Sequence, residues 1–172
     1  MKKRDIDTPA LILDLDVVEE NIRTMAAYFA ARPQKLRPHF KTPKTPEIAR
    51  RQLAAGAIGI TASKLGEVEV LARAGIGPVL LANQIAGPAK IDRFFNAAER
   101  ISLIGTVESE FNVREFEAGA ARARKATDVI VEVDTGMHRC GTGTPEETVE
   151  LVRIAKRAGL NYRGVMGYEG HA

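Results

Sequence analysis

The stretch Leu-Arg-Pro-His-Phe-Lys-Thr-Pro-Lys, residues 36–44, decides how the rest of the chain is interpreted. Residues 35–40 form a strand-like run and Thr45-Pro46-Glu47 is typical of a helix start, so Lys41 lies where a predicted strand ends. In a parallel α/β fold, functional residues collect at that edge of the sheet. His39 precedes Lys41 by two positions, which predicts that both side chains leave the same face. A lysine that loses solvation there can attack an aldehyde, whereas an isolated lysine is more often a solvated surface residue.

The composition is that of an ordinary globular protein, with 45% hydrophobic and 27% charged residues in a chain of 172. The net charge of +3 is scattered and only 5% of the residues are aromatic, so nucleic-acid binding is not expected. No apolar run approaches the length of a membrane span, and the basic N-terminus lacks the apolar stretch of a signal peptide. Cys140 is the single cysteine, which excludes an intrachain disulfide and favours a reducing compartment, the cytoplasm.

Short apolar runs alternate with helical patterns along the chain. A short strand is predicted at residues 10–13, and six more follow at residues 35–40, 57–61, 78–82, 101–104, 128–133 and 162–167. Helices are predicted between them, with Asp16 capping the first and Thr144-Pro145-Glu146-Glu147 starting the last. Continuous apolar strands are typical of a parallel sheet covered on both faces, so a doubly wound sheet and a (β/α)8 barrel both fit.

Polar residues at the ends of the predicted strands favour the barrel. They are Lys41, Thr61, Asn83, Thr106, Asp134 and Tyr168. No glycine-rich phosphate-binding motif follows any strand, which weakens the nucleotide-binding alternative. A barrel needs eight strands and roughly 250 residues. The sequence therefore predicts an α/β fold, an incomplete (β/α)8 TIM-type barrel with about six βα strands, and we expect residues 1–172 to be the N-terminal part of a longer enzyme.

Several motifs resemble the alanine racemase N-terminal-domain family of fold-type III pyridoxal-phosphate (PLP) enzymes, and within it the D-threonine aldolase and D-serine dehydratase branch. The most specific are Arg-Pro-His-Phe-Lys-Thr at residues 37–42 and Gly-Tyr-Glu-Gly-His at residues 167–171. The Asp-Thr-Gly-Met-x-Arg-x-Gly motif at residues 134–141 is shared more widely in the family. One position departs from the branch, which usually has histidine two residues after the lysine where this chain has Pro43. That difference concerns the substrate rather than the attachment of the cofactor.

The resemblance implies roles for individual residues. Lys41 matches the lysine that forms the Schiff base with PLP, Arg139 an arginine near the phenolic oxygen of the cofactor, and His171 a histidine at the ring face. Tyr168 matches a tyrosine at the same strand end as His171. His39 either orients Lys41 or the cofactor, or is a packed strand histidine.

Other polar residues are predicted to be structural. Asp134 either bonds Arg139 or caps a turn, and the turn is favoured; Glu67 and Glu69 are expected to be solvated and Cys140 to be packed. We find no set of metal ligands within the chain. The resemblance instead implies a C-terminal β-domain that binds a divalent metal, Mn, Zn or Mg, and that packs with the strand at residues 10–13.

The function implied by the resemblance is that of a PLP-dependent lyase on β-hydroxy-D-amino acids, which cleaves D-threonine-like substrates to glycine and an aldehyde. A D-serine dehydratase-like lyase and an amino-acid racemase are alternatives of the same fold, and a non-catalytic PLP-binding protein is an alternative of another class. The expected partner is a small D-amino acid, and the expected full-length assembly is a homodimer. We expect the 172-residue piece alone to be inactive and to aggregate through its uncovered sheet edges.

Overall fold

The structure is a computed structural model that describes residues 2–172, except for the side chain of residue 3. These residues contain six α-helices and five β-strands in strict alternation after the second helix. The helices are α1 Leu15–Ala30, α2 Pro46–Ala54, α3 Leu65–Arg73, α4 Pro88–Ala98, α5 Glu110–Ala123 and α6 Pro145–Arg157. The strands are β1 Ile60–Ala62, β2 Val79–Leu81, β3 Leu103–Val107, β4 Asp128–Val133 and β5 Asn161–Gly167.

The five strands form one parallel sheet in the order β1-β2-β3-β4-β5. Each strand pairs with the next one in the chain, and a helix connects them because parallel neighbours need a long crossover. The order does not reverse within the described sheet, whereas a doubly wound sheet reverses at a switch point. The predicted parallel α/β fold is confirmed, and its order is that of a singly wound barrel wall.

The predicted strand at residues 35–40 is wrong as a regular strand, so the count is five and not six. His39 makes a single parallel bridge to Thr61. The carbonyl groups of Leu36 and Pro38 accept hydrogen bonds from the backbone N–H groups of Ile58 and Thr61, at 2.9 and 2.8 Å. Between these two hydrogen bonds the segment advances by two residues, from Leu36 to Pro38, while the paired chain advances by three, from Ile58 to Thr61. In addition, Pro38 has no N–H to donate. The segment still runs along β1, but the ladder is too irregular to count as a strand.

Local capping explains where the helices begin. Thr144 accepts a hydrogen bond from the N–H of Glu147 at 3.2 Å, which confirms the predicted start of α6. The first helix begins two residues earlier than predicted, because Asp14 rather than Asp16 is its cap. The carboxylate of Asp14 accepts from the N–H groups of Asp16 and Val17. The N-termini of α1 and α6 both follow the rule that an extended residue with a side-chain acceptor starts a helix.

Glu67 is buried, so the expectation that it is solvated is wrong. Its carboxylate turns back over the first turn of α3 and accepts from the N–H of Ser63 at 2.9 Å and from the Ser63 hydroxyl at 3.2 Å. This contact satisfies a backbone donor that would otherwise be left unpaired at the helix start. Glu69 is partly exposed and pairs with Arg93 through two hydrogen bonds of 2.7 and 2.8 Å.

The hydrophobic core lies between the sheet and helices α3, α4 and α5. Phe94 and Phe116 meet edge to face with their ring centroids 5.0 Å apart, and both rings are fully buried. A Cβ atom on Gly105 in β3 would lie 2.6 Å from the Phe116 ring, so glycine is required for the ring to reach the sheet. Each buried ring contributes about 1.5–3 kcal/mol to stability. This core holds the central strands, and therefore the residues at their ends, in a fixed arrangement.

Both edges of the described sheet present apolar surface. None of the residues of α1 is buried, and its apolar side and the segment at residues 35–38 border a groove of about 400 Å³. At the opposite edge, Val165 of β5 is 58% exposed. Residues 10–13 form neither helix nor strand, and Leu11 is fully exposed. A strand is defined by its partner and the predicted partner domain is not among the 172 residues, so the pairing of residues 10–13 stays a prediction. None of the helices in the described part of the chain is long and apolar enough to cross a membrane.

Candidate functional site

A cavity of about 620 Å³ opens at the carboxyl ends of the strands, which is a size typical of small-molecule sites. The residues that line it come from almost every strand end. They are Arg37, His39, Lys41, Thr61, Ser63, Leu80, Ala82, Asn83, Glu132, Arg139, Cys140, Met166, Gly167 and Tyr168. Four of the six polar residues predicted to meet at this edge, Lys41, Thr61, Asn83 and Tyr168, line the cavity. Asp134 and Thr106 do not, and Thr106 is buried with its hydroxyl donating to the carbonyl of Leu81. The prediction is therefore confirmed in part.

Lys41 reaches the cavity from the end of the segment beside β1. The preceding residue, Phe40, is only 2% exposed and anchors the chain in the core, while its N–H donates to the carbonyl of Thr61 at 2.7 Å. The Lys41 side chain is exposed, so its amine is accessible from the cavity. Its Nζ lies 5.7 Å from the centroid of the Tyr168 ring, within the range of a cation–π contact.

His39 and Lys41 line the same cavity, as the alternation of an extended segment predicts. Its Nδ1 accepts a hydrogen bond from the backbone N–H of Lys41 at 3.1 Å. Burial, and then the positive charge of Lys41, lower the pKa of His39. Both effects favour a neutral imidazole, and an accepting Nδ1 leaves the ring proton on Nε2. His39 thus orients the backbone that carries Lys41 and adds no competing charge.

Tyr168 follows β5, and two cations lie near its ring. The carbon of the Arg139 guanidinium lies 5.1 Å from the centroid of the Tyr168 ring. Arg139 and Lys41 therefore approach the same ring from distant parts of the sequence. The Thr135 hydroxyl donates to the backbone carbonyl of Tyr168 at 2.9 Å. A Cβ atom on Gly170 would lie 2.4 Å from the Tyr168 ring, so the chain folds closely over it. The ring is held against the loop that carries Arg139.

Asp134 caps the turn that leads to Arg139, which is the role that the sequence favoured. Its Oδ1 accepts from the N–H groups of Gly136 and His138 at 2.9 and 3.0 Å. Its Oδ2 lies 3.2 Å from Nδ1 of His138. The backbone hydrogen bond from Gly136, and then the one from His138, hold the pKa of Asp134 below its ordinary value of 3.8. The carboxylate is therefore ionised and engaged with the turn.

Glu132 and Arg37 are cavity residues that the sequence analysis did not single out. Glu132 is 5% exposed and accepts a hydrogen bond from the side-chain amide of Gln84; burial is the main cause that raises its pKa. The available signal was a charged residue within the apolar run Asp-Val-Ile-Val-Glu-Val of β4. Arg37 is half-buried, burial lowers its pKa, and its Nη1 donates to the carbonyl of Pro78 at 3.5 Å. Arg37 could have been recognised from the sequence because it lies two residues before His39 in an extended segment, where alternate side chains share a face.

His171 lies elsewhere, since it is not among the described residues that line the cavity. A Cβ atom on Gly136 would be 3.4 Å from Nε2 of His171, so the imidazole rests on the turn capped by Asp134. Cys140 is half-buried at the cavity wall, and burial is the largest cause that raises the pKa of its thiol. Among residues 2–172, no group of three or more His, Cys, Asp or Glu side chains could hold a metal ion.

Comparison with known proteins assigns the family. Residues 13–172 match the family described as alanine racemase, N-terminal domain. This chain belongs to that family. Among its relatives is the 3-hydroxy-D-aspartate aldolase of Paracoccus denitrificans (strain Pd 1222), which is 35% identical over 173 residues that cover 99% of this chain and 45% of the relative.

Two further relatives come from the same branch of the family. The D-threo-3-hydroxyaspartate dehydratase of Delftia sp. (strain HT23) is 34% identical over 96% of this chain and 44% of its own length. The crystal structure of D-threonine aldolase from Filomicrobium marinum superimposes with a TM-score of 0.94 at 38% identity, and the match covers 98% of this chain and 46% of that one. The family predicted from the sequence is confirmed. The chain spans less than half the length of these relatives.

Proposed function

We propose that this chain carries the cofactor site of a PLP-dependent lyase that acts on β-hydroxy-D-amino acids and splits D-threonine-like substrates into glycine and an aldehyde. One observation carries the proposal. Lys41, Arg139 and Tyr168 come from distant parts of the sequence and meet at one cavity, with the lysine amine and the guanidinium near the same aromatic ring. The relatives named as aldolases and a dehydratase of β-hydroxy-D-amino acids support it.

The residues at the cavity fit PLP by size and chemistry. PLP is an aromatic aldehyde with anionic oxygens, and the cavity of about 620 Å³ offers an accessible lysine amine, a guanidinium and an aromatic ring. Arg139 is suited to an anionic oxygen because a guanidinium donates in a fixed planar arrangement. Lys41 is suited to the aldehyde because a primary amine condenses with it. His39 adds no positive charge beside Lys41, because burial lowers its pKa and favours the neutral imidazole.

Each residue has a proposed role. Lys41 attaches the cofactor, Arg139 holds an anionic oxygen of it, and Tyr168 borders the ring; His39 orients the backbone of Lys41. Bound PLP supplies an electron sink for the bond that breaks at the substrate Cα. Loss of the β-hydroxyl proton and cleavage of the Cα–Cβ bond would give glycine and, from D-threonine, acetaldehyde. His171 is proposed to lie at the ring face of the cofactor, as the family resemblance implies; in this structure its imidazole rests on the turn at Gly136.

The rest of the active site is proposed to lie outside the described residues. Both sheet edges expose apolar side chains, at α1 and at Val165, and further βα units would bury them and complete a (β/α)8 barrel. A C-terminal β-domain would supply the ligands of a divalent metal. Homodimer formation and a cytoplasmic location stay predictions, as do the inactivity and aggregation of the 172-residue piece.

Dehydration is the second candidate, and the similarity to a D-threo-3-hydroxyaspartate dehydratase favours it. Elimination of the β-hydroxyl from D-threonine would give 2-oxobutanoate and ammonia instead of glycine and acetaldehyde. The two reactions share the attachment of the cofactor through Lys41. Only the products separate them.

The first test locates the cofactor. The full-length gene product is incubated with PLP, reduced with borohydride, digested and analysed by mass spectrometry. We expect the reduced cofactor on Lys41, no label in Lys41→Ala, and unchanged labelling in Lys64→Ala, which alters a lysine at the same edge of the sheet. Labelling of another lysine in place of Lys41 would contradict the proposed site.

The second test identifies the reaction. Wild-type protein and Lys41→Ala are incubated with D-threonine, PLP and a divalent metal, and the products are separated by chiral chromatography. Glycine with acetaldehyde supports the aldolase, and 2-oxobutanoate with ammonia supports the dehydratase. Inversion at Cα alone would mean a racemase, and labelling of Lys41 without turnover would mean a non-catalytic PLP-binding protein.

A further inference from the structure

We propose that Glu108 and Asp134 are positioning residues, which hold the loop of residues 134–142 from two sides and thereby fix Arg139 at the cavity. The inference deepens the proposed function and rests on it for the identity of the ligand, PLP. The position of the loop itself depends only on contacts within the chain.

The loop leaves β4 and returns to the same place. The N–H of Asp134 donates to the carbonyl of Thr142 at 2.9 Å, and the N–H of Thr142 donates to the carbonyl of Glu132 at 3.0 Å. Val133 and Thr142 accordingly form a parallel bridge. The two ends are tied together by main-chain bonds, so the tip of the loop, which carries Arg139, needs its own support.

Asp134 supports the loop on its outgoing side. Its carboxylate accepts from the N–H of His138, the residue immediately before Arg139, as well as from Gly136. The backbone is left-handed at both positions, with φ of +107° at Gly136 and +53° at His138. A left-handed histidine is unfavourable by itself, so the surrounding contacts must stabilise it. The side chain of Asp134 is only 17% exposed, which protects these bonds from water.

Glu108 supports the loop on its returning side, from a different strand. It follows β3, and its Oε2 accepts from the N–H of Gly141 at 2.5 Å. Gly141 has a φ of +101°, and a Cβ atom there would lie 2.5 Å from the carbonyl carbon of Val133. The returning chain therefore passes against the end of β4 with no space for a side chain. Glu108 holds it in that position two residues after Arg139.

The two carboxylates thus hold the backbone on either side of Arg139. The guanidinium lies 5.1 Å from the centroid of the Tyr168 ring, although the arginine side chain is long and exposed. A flexible loop would have to lose its conformational freedom each time an anion binds, which weakens affinity. A loop ordered in advance avoids that loss, and this is how supporting residues that never touch a ligand contribute to binding.

The first measurement does not involve PLP. Amide hydrogen exchange is followed across residues 134–142 in the full-length protein, in Asp134→Asn and in Glu108→Gln, which keep the shape of each side chain and remove its charge. We expect exchange in the loop to accelerate about tenfold in each variant. Asp128→Asn, which removes a carboxylate at the other end of β4, is the matched control and should leave the loop unchanged. Unchanged exchange in both test variants would overturn the inference whether or not PLP binds.

The second measurement is a double-mutant cycle on the dissociation constant for PLP, with labelling of Lys41 as the check of site. We expect Asp134→Asn and Glu108→Gln to weaken PLP binding about tenfold in the wild-type background and to have no further effect in Arg139→Ala. Equal weakening with and without Arg139 would overturn the inference, because the carboxylates would then act by another route. A wild-type protein that PLP does not label at Lys41 would instead contradict the proposed function. If one of the two variants fails to fold, the cycle with the other gives the same decision.

Discussion

The segment of residues 36–41 and the loop of residues 134–142 both carry a cation to the cavity, but they are held by different contacts. The segment runs beside β1 and is held by main-chain hydrogen bonds, with the buried ring of Phe40 as its anchor. The loop is held at its tip by the side chains of Asp134 and Glu108. Main-chain bonds survive most substitutions, whereas a side-chain acceptor is lost when its residue changes.

The two cations also differ in the charge of the groups that lie next to them. Lys41 is presented beside His39, whose pKa is lowered by burial and by the positive charge of Lys41, so the imidazole adds no second positive charge. Arg139 is presented by two carboxylates that bind the backbone N–H groups of neighbouring loop residues. Neither carboxylate makes a salt bridge of 4 Å or less with the Arg139 guanidinium among the described contacts. The lysine depends on packing behind it, and the arginine depends on the shape of a loop. Substitutions that affect one support should therefore leave the other in place.

Phe40→Ala is the change expected to have the largest effect on stability. It removes a ring that is 2% exposed and leaves a cavity behind the Lys41 segment, so the free energy of unfolding should fall by about 3–5 kcal/mol. Chemical denaturation measures the loss, and PLP labelling measures the reactivity of Lys41. Phe40→Leu is the control, because it keeps an apolar side chain and should cost far less. A small loss in Phe40→Ala would mean that the main-chain bonds alone hold this segment.

Gly141→Ala should have the next largest effect, and it acts on the loop. The added Cβ would lie 2.5 Å from a backbone carbon, in a left-handed conformation that alanine disfavours. We expect a loss of about 2–4 kcal/mol in the free energy of unfolding, together with faster hydrogen exchange in residues 134–142. Gly66→Ala in α3 is the matched control, since nothing lies within 4 Å of its added Cβ and alanine favours a helix. Hydrogen exchange in residues 134–142 that is the same in Gly141→Ala as in the wild type would contradict the tight packing against β4.

The smallest predicted effect is a pH dependence of opposite sign for two acids that lie two residues apart. The pKa of Asp134 is lowered by backbone hydrogen bonds, so its ionised form stabilises the folded protein above pH 3.8, and this contribution is lost as the pH falls through the folded pKa. The pKa of Glu132 is raised, chiefly by burial. Its contribution is therefore present below pH 4.5 and is lost as the pH rises through the folded pKa.

Thermal unfolding between about pH 3 and 7 tests both signs. Asp134→Asn should be less stable than the wild type at neutral pH, and the difference should shrink in acid. Glu132→Gln mimics the protonated acid and can still accept from Gln84, so it should be more stable than the wild type at neutral pH, with the gain vanishing near pH 4.5 and below. Parallel pH profiles for the two variants would mean that burial and hydrogen bonding do not separate these carboxylates.

The part of the site that the sequence could predict consists of residues marked by their immediate neighbours. Lys41, His39, Arg139 and Tyr168 stand at strand ends or in short motifs, and the structure brings all four to one cavity. His171 belongs to the same kind of motif, yet it rests on a neighbouring turn. A motif indicates which residues are near in the chain, but the orientation of a side chain after the last strand depends on what packs over it.

By itself, the sequence determined the alternation of helices and strands, the start of α6 at Thr144 and the full extent of β4, because caps and apolar periodicity act within a few residues. Only the tertiary structure decided that residues 35–40 make one bridge rather than a strand, since the register with β1 slips beside Pro38. It also decided the burial of Glu132 and the hold of Glu108 on Gly141. The hydrogen bond from Gln84 to Glu132 joins residues 48 positions apart, and the one from Gly141 to Glu108 joins residues 33 positions apart. Which of such distant residues meet is fixed by the alignment of parallel strands, and a local pattern carries no information about that alignment.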